Sequence, residues 1–239
     1  MIKRFFLVSF RNLFSQKGFS LINLLGLTLG LTIGFMILLY IFNELSYDKF
    51  HSEHDQTYRI AIRGNMGEMN LNVAVTPGAL GHNMKKDFPE VEDFTCFEHT
   101  SGKQLIRADE KKFYDNHLVF ADTNFLKIFS FQLLRGNANS LSEPYTIILT
   151  EKLASKYFGS GNPIGEILIL NNEDALKVIG VIEDPPEETH LAINALISFE
   201  TLLAKAETNP RENWSEMQYY TYIKLNQSIS KEMFEKKIQ

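Results

Sequence analysis

FSLINLLGLTLGLTIGFMILLYIF, residues 19–42, runs for 24 positions without a charged side chain. At about 1.5 Å per residue such a helix is roughly 36 Å long, enough to cross a bilayer core of about 30 Å. Buried helices of soluble proteins seldom stay uncharged for so long. A cleaved signal peptide has an apolar region of about 7–15 residues and a small-residue cleavage site. Here the run is longer, and the NELSYDKF that follows has no such site. The stretch reads as a transmembrane helix, and it divides the chain into a short flank and a large remainder.

Within the span, Gly26, Gly30 and Gly34 recur every four residues, with Asn23 one turn earlier on nearly the same side. Glycine in a helix interior costs roughly 1 kcal/mol relative to alanine. Between helices in lipid, association depends on close backbone approach, which small residues permit. Asn23, Gly26, Gly30 and Gly34 are therefore the predicted packing face for a second helix. The plainer alternative is the general abundance of glycine in membrane helices.

Flanking charge orients the span. Lys3, Arg4, Arg11 and Lys17 precede it with no acid among residues 1–18. Glu44, Asp48, Glu53 and Asp55 follow, with Lys49 the sole cation before Arg59. The positive-inside rule places the N-terminus in the cytoplasm and residues 43–239 outside. Ile2, Phe5, Phe6 and Leu13 project to one side of a helix, and Arg4 and Arg11 to the other. Residues 1–18 thus read as a cytoplasmic amphipathic segment lying against membrane lipid, with Lys3, Arg4, Arg11 and Lys17 at the interface.

The net charge is −5 and the first 42 residues contribute +4, so the outer part holds −9. An acidic outer domain argues against a nucleic-acid partner. Cys96 is the single cysteine, which excludes an intramolecular disulfide. It reads as a small buried hydrophobe, and an outer part of this size buries a sufficient core unaided.

The outer region reads as α+β. A stalk helix is expected over 43–56, then strands at 57–63, 72–76, 91–98, 103–108, 112–120, 145–149 and 218–225, and in ILIL, ALKVIGVIED and LAINALISF. That makes about ten strands by alternation and β-branched content. One helix is predicted from Thr76 as N-cap, with Pro77 in first position, to a stop at Pro89. Others are expected at 122–129 behind Asp122, at 150–158 between Thr150 and Gly159, near 199–206 and from 228 onward, while FQLLRG reads as a turn. Asn- and Ser- or Pro-bearing stretches near 70–76 and 138–144 mark the boundaries of two expected subdomains within 57–227.

Catalytic patterns are missing. There is no G-x-x-x-x-G-K-[ST], no H-E-x-x-H and no G-x-S-x-G. HSEH (51–54) puts two imidazoles three residues apart, but a metal would need further ligands. DPPEETH (184–190) lacks calcium-loop spacing and reads as a rigid turn with a solvated acidic rim. GSGNPIG (159–165) follows a helix and precedes a strand, the reverse of a phosphate loop, and reads as a helix cap plus turn. No catalytic, cofactor-binding or metal-ligating residue is predicted, and the chain is expected not to be an enzyme.

Four segments in order, SFRNLFSQKGFSLINLLGLTLGLTIG, NELSYDKFHSEHDQTYRI, ILTEKLASKYFGSGNPIGE and VIGVIEDPPEETHL, resemble the MacB/FtsX-type ABC transporter permeases. The first matches an R-N-L…G-x-S-x-I-N-x-x-G-L-x-x-G approach to the first membrane helix. The third matches an L-T-E-x-L-A-x-x-Y-F-G…P-I-G segment of the periplasmic core domain. The resemblance implies a four-helix permease of the bacterial inner membrane, with the periplasmic domain between helices one and two. It also implies a homodimer or a related permease as mate, and a cytoplasmic ABC ATPase that binds the ATP. Such permeases work by mechanotransmission, and members export antibiotics or peptides, release lipoproteins or regulate cell-wall enzymes. Residues 228–239 would then begin the return helix, and the chain reads as a fragment with three further spans beyond Gln239. The competing reading is a single-pass sensor or partner-binding module, in which the glycines serve homodimerisation alone.

Overall fold

The computed structural model describes residues 11, 15, 17–46, 53–66, 69–186 and 189–238. It forms two units, Met1–Tyr47 and Asp48–Gln239.

The first unit is helix α1, Lys17–Ser46. Lys17–Glu44 is long and apolar enough to cross a membrane, and none of it is buried. No proline interrupts it, and Thr28 and Thr32 donate their hydroxyls to the carbonyls of Leu24 (2.7 Å) and Thr28 (2.8 Å) of the same helix. Polar side chains thus find partners without leaving the helix, as an apolar surround demands. Of the expected stalk, residues 43–46 continue α1, residues 47–52 lie outside the described residues, and His54–Gln56 form a 3₁₀ turn.

The second unit is a mixed α/β fold. Its strands are β1 (Thr57–Arg59), β2 (Ile62–Met66), β3 (Met69–Val73), β4 (Thr76–Pro77), β5 (Val91–His99), β6 (Gln104–Ala108), β7 (Lys111–Asp115), β8 (Leu118–Ala121), β9 (Leu133–Gly136), β10 (Thr146–Thr150), β11 (Ile167–Leu170), β12 (Asp174–Ile182), β13 (Ala195–Ser198) and β14 (Met217–Leu225). Its helices are α2 (Leu80–Asp87), α3 (Phe125–Ile128), α4 (Glu151–Phe158), α5 (Phe199–Lys205) and α6 (Lys231–Ile238). A 12-stranded sheet runs β1-β14-β5-β8-β13-β10-β12-β11-β6-β7, with β4 added to β14 and β9 to β12; β2 and β3 form a separate hairpin.

Two pairings, β10 with β12 and β8 with β13, are parallel. A parallel pair needs a crossover, and α4 supplies the first. Its ends obey the sequence signals. Thr150 Oγ1 accepts from the Leu153 amide at 3.3 Å, and Gly159 closes the helix with φ 61°. β10 and β13 are buried along their whole length, which explains their unbroken apolar runs.

The apolar core lies in several clusters. One gathers Phe97, Phe125, Phe129, Ile148 and Leu196; a second gathers Leu149, Leu153, Tyr157, Val178 and Ile197 under α4. A third joins Met84, Ile223, Leu225 and Phe234, which seats α6. The two expected subdomain boundaries fall at different kinds of element. The first falls on β3 and β4, and the second on a 3₁₀ turn (Ala138–Ser142) whose flanking strands β9 and β10 both pair with β12.

Several local expectations are corrected. Thr76 and Pro77 are strand, and α2 starts at Leu80. The Thr76 hydroxyl is committed to the sheet, 2.7 Å from Thr221 Oγ1 and 3.1 Å from the Tyr219 carbonyl. FQLLRG is not a turn, because Leu133–Gly136 is a strand on β12. Gly136 makes that pairing possible: its φ is 91°, and a Cβ there would lie 2.1 Å from the Ile179 carbonyl oxygen. The single strand expected at 112–120 breaks into β7 and β8, where Asp115 accepts from the His117 amide. Among the described residues the strands number fourteen.

Candidate functional site

The predicted packing face lies on α1. At 100° per residue, Asn23, Gly26, Gly30 and Gly34 fall within an arc of about 80°. A Cβ built at Gly26, Gly30 or Gly34 meets nothing within 4 Å. Arg11 and Lys17 are exposed on the N-terminal side, while Lys3 and Arg4 lie outside the described residues.

In the second unit, several histidines and the acidic and glycine-rich motifs are absorbed into structure. His82 meets the Phe94 ring edge-on, His99 packs against Phe97 and Tyr220, and His190 lies 2.6 Å from the Tyr222 hydroxyl. His54 pairs with its neighbour Asp55 at 2.8 Å. His51, Glu187 and Glu188 lie outside the described residues. Asp184 of the DPPEETH segment accepts from the Lys152 amide at 3.0 Å and so caps α4. In GSGNPIG, Gly165 donates its amide to the Val178 carbonyl (2.8 Å), which fits the turn reading.

Cys96 sits on β5, buried, with its thiol pushed up to about 12 by desolvation and by the neighbouring Asp122 carboxylate. A protonated, enclosed thiol is a poor nucleophile. Asp122 accepts from the Thr95 hydroxyl (2.7 Å) and from the Cys96 (2.8 Å) and Asn124 (3.0 Å) amides. Cys96, Asp122 and Asn124, with Phe94, Phe199 and Arg211, border a cleft of about 290 Å³. Arg211 is already spoken for, since it pairs with Glu200 at 2.5 Å and lies over the Phe199 ring. The cleft lies between α2, β5 and α5.

Three charged residues on the central strands escaped sequence reading. Asp93 is buried and accepts from Lys85 (2.8 Å), Lys127 (3.0 Å), Asn124 (3.0 Å) and the Phe94 amide (3.0 Å). Burial works to raise its carboxyl, but the two lysines hold it below the usual carboxylate range. Lys224, on β14, reaches Glu53 and Glu92. Glu98 carries a buried Oε2 without a hydrogen-bond partner. Burial, with Glu216 adding to it, pushes the Glu98 carboxyl up to about 7.

The folded Glu98 holds its proton more tightly than the unfolded chain, where the ordinary value is 4.5. Its contribution to stability is complete below that value and is lost as pH rises through about 7. Glu98→Gln should therefore stabilise the domain relative to wild type at about pH 8 more than at about pH 5. Urea midpoints of both proteins at the two pH values check this, and an equal difference at both would reject it.

The model for the MacB-like periplasmic core domain matches residues 20–239, and the chain belongs to that family. It is thus a membrane protein of the MacB/FtsX-type ABC transporter permease class with an extracytoplasmic domain, and its relatives are permease components. Three solved structures share the fold. A domain of a candidate permease protein from Porphyromonas gingivalis superposes with a TM-score of 0.66 at 22% identity, covering 78% of this chain and 80% of that one. The periplasmic region of MacB from Actinobacillus actinomycetemcomitans gives 0.56 at 16% identity, covering 80% and 84%. The extracellular domain of the noncanonic ABC-type transporter YknZ from Gram-positive bacteria gives 0.53 at 16%, covering 75% and 87%. No curated protein sequence matches the chain.

Proposed function

We propose that this chain supplies the first membrane span and the periplasmic domain of a permease that dimerises and pairs with a cytoplasmic ABC ATPase. ATP is bound and hydrolysed by that partner. Motion reaches the outer domain through the membrane helices, as mechanotransmission, and does work there. The N-terminus is cytoplasmic: Arg11 and Lys17 lie on one side of the span and Glu44 on the other, in the sense the positive-inside rule favours.

One observation carries the reading. Gly26, Gly30 and Gly34 recur on one face of the span, where an added Cβ meets nothing within 4 Å, and the same chain continues into a domain of the permease family. A helix that only anchors a domain in lipid gains nothing from such a groove. The test is purification of the full-length gene product in detergent together with an ATPase encoded beside it. Co-elution of the two supports the permease. If no ATPase associates and deletion leaves efflux unchanged, the single-pass sensor takes its place.

A further inference from the structure

Two stretches of chain leave the sheet at one corner. The incoming stem is the 3₁₀ turn His54–Gln56 with β1, and the outgoing stem is the end of β14 with α6. β1 pairs with β14 alone, over three residues, Thr57↔Lys224, Tyr58↔Ile223 and Arg59↔Tyr222. It is an edge strand of the large sheet. So short an edge strand is the kind of element that opens locally unless something else fastens it.

Lys224 provides that fastening. Its side chain is 9% exposed, and Nζ lies 2.8 Å from Glu53 Oε1 and 3.0 Å from Glu92 Oε1. One ammonium with three donors thus spans the incoming stem, β14 and the start of β5. The outgoing stem is fixed to the same α2–β5 corner. Lys237 of α6 pairs with Glu90 at 2.6 Å, Phe234 meets Phe88 edge-on at 5.6 Å, and the Asn226 amide donates to the Glu90 carbonyl at 2.9 Å. Tyr58 and Ile60 of the incoming stem lie against the same apolar cluster as Phe234.

The geometry points to Lys224 as a latch that makes the two stems one mechanical piece, so that displacement of either is delivered to the whole sheet. This assignment rests on the permease reading, in which both stems lead to membrane helices. Lys224 is a positioning residue, because it holds the stems in register and touches no cargo. Burial sharpens its dependence on both carboxylates, since a desolvated charge left with too little countercharge is strongly unfavourable.

Hydrogen exchange on the full chain in lipid nanodiscs tests the latch. Lys224→Met keeps the length and removes the charge, and the Glu53 and Glu92 side chains it leaves, 38% and 49% exposed, turn to water. The β1 amides and that of Ile60, which donates to Thr221 at 2.9 Å, should then exchange at least tenfold faster, with β10 and β12 unchanged. Lys224→Arg should restore protection, and Glu53→Gln should accelerate β1 severalfold by removing one arm. Unchanged β1 exchange in Lys224→Met, or equal acceleration in β1, β10 and β12, overturns the latch. The measurement needs no ATPase. Failure to find an ATPase partner would sink the permease reading and leave the exchange result standing, while unchanged exchange alongside a bound ATPase sinks the latch alone.

Discussion

Replacing Phe97 with alanine should lower the stability of the outer domain by about 4 kcal/mol, the middle of the range for truncating a buried phenylalanine. Phe97 is 1% exposed. Its ring meets Phe125 at 5.2 Å, Phe129 at 5.9 Å, Tyr220 at 5.5 Å, Tyr222 at 5.7 Å and His99 at 5.5 Å. Its backbone lies between β14 and β8, opposite Tyr220 and Ala121. The cavity cannot collapse easily, because rings on β14 and α3 wall it from both sides and each is held by its own element. Against a typical total of about 5–15 kcal/mol, the loss leaves the domain marginal. The readout is built in: Cys96, the neighbour of Phe97 and the single thiol, is 5% exposed and should react with a thiol reagent only on unfolding. With a urea dependence of about 2 kcal/mol per molar, the labelling midpoint should fall by about 2 M. A midpoint within about 0.3 M of wild type, no further than Tyr114→Ala at an exposed position should reach, would reject Phe97 as the hub of this core.

How much of this was open to reading from the sequence depends on the range of the forces involved. The span was legible because a membrane helix must satisfy its backbone locally, and Thr28 and Thr32 do the same for their hydroxyls. Helix α4 was legible because Thr150 and Gly159 act within one turn of the ends they cap. Thr76 misled for the same reason in reverse. A threonine before a proline is a good local cap, but its hydroxyl was taken by Thr221, 145 residues away. Leu133–Gly136 read as a turn because nothing local shows β12 beside it. The charged residues of the central strands were the least legible. Lys224 finds Glu53 across 171 residues, and alternation along TYIKL does not distinguish a latched lysine from a solvated one. The glycine spacing is plain in the sequence, and a Cβ at Gly26, Gly30 or Gly34 meets no atom within 4 Å, but what packs there lies outside this chain's local pattern.

Gly30→Leu in the full-length protein should abolish most of the helix association while leaving insertion intact. Within one chain the change is favourable twice over. Leucine is the better helix former by about 0.8–1 kcal/mol, and at the centre of a span it favours insertion by about 0.3–0.6 kcal/mol. A Cβ at Gly30 meets no atom of this chain, so no internal clash offsets those gains. Any loss must therefore come from a neighbouring helix. Small-residue faces work by bringing backbones close, and a leucine side chain in the groove pushes them apart where van der Waals packing is the main attraction. A loss of about 1.4 kcal/mol is a tenfold drop in association. Thr32→Leu is the matched control, since Thr32 lies on the far side of the helix from the glycine arc and bonds only back to Thr28 among the described residues. Crosslinking in native membranes, read beside resistance to carbonate extraction, separates assembly from insertion. Loss of crosslinking in Gly30→Leu but not in Thr32→Leu is the expected result. Equal crosslinking in both would mean that the glycines are there for helix composition alone, and that the mate of this span packs on another face.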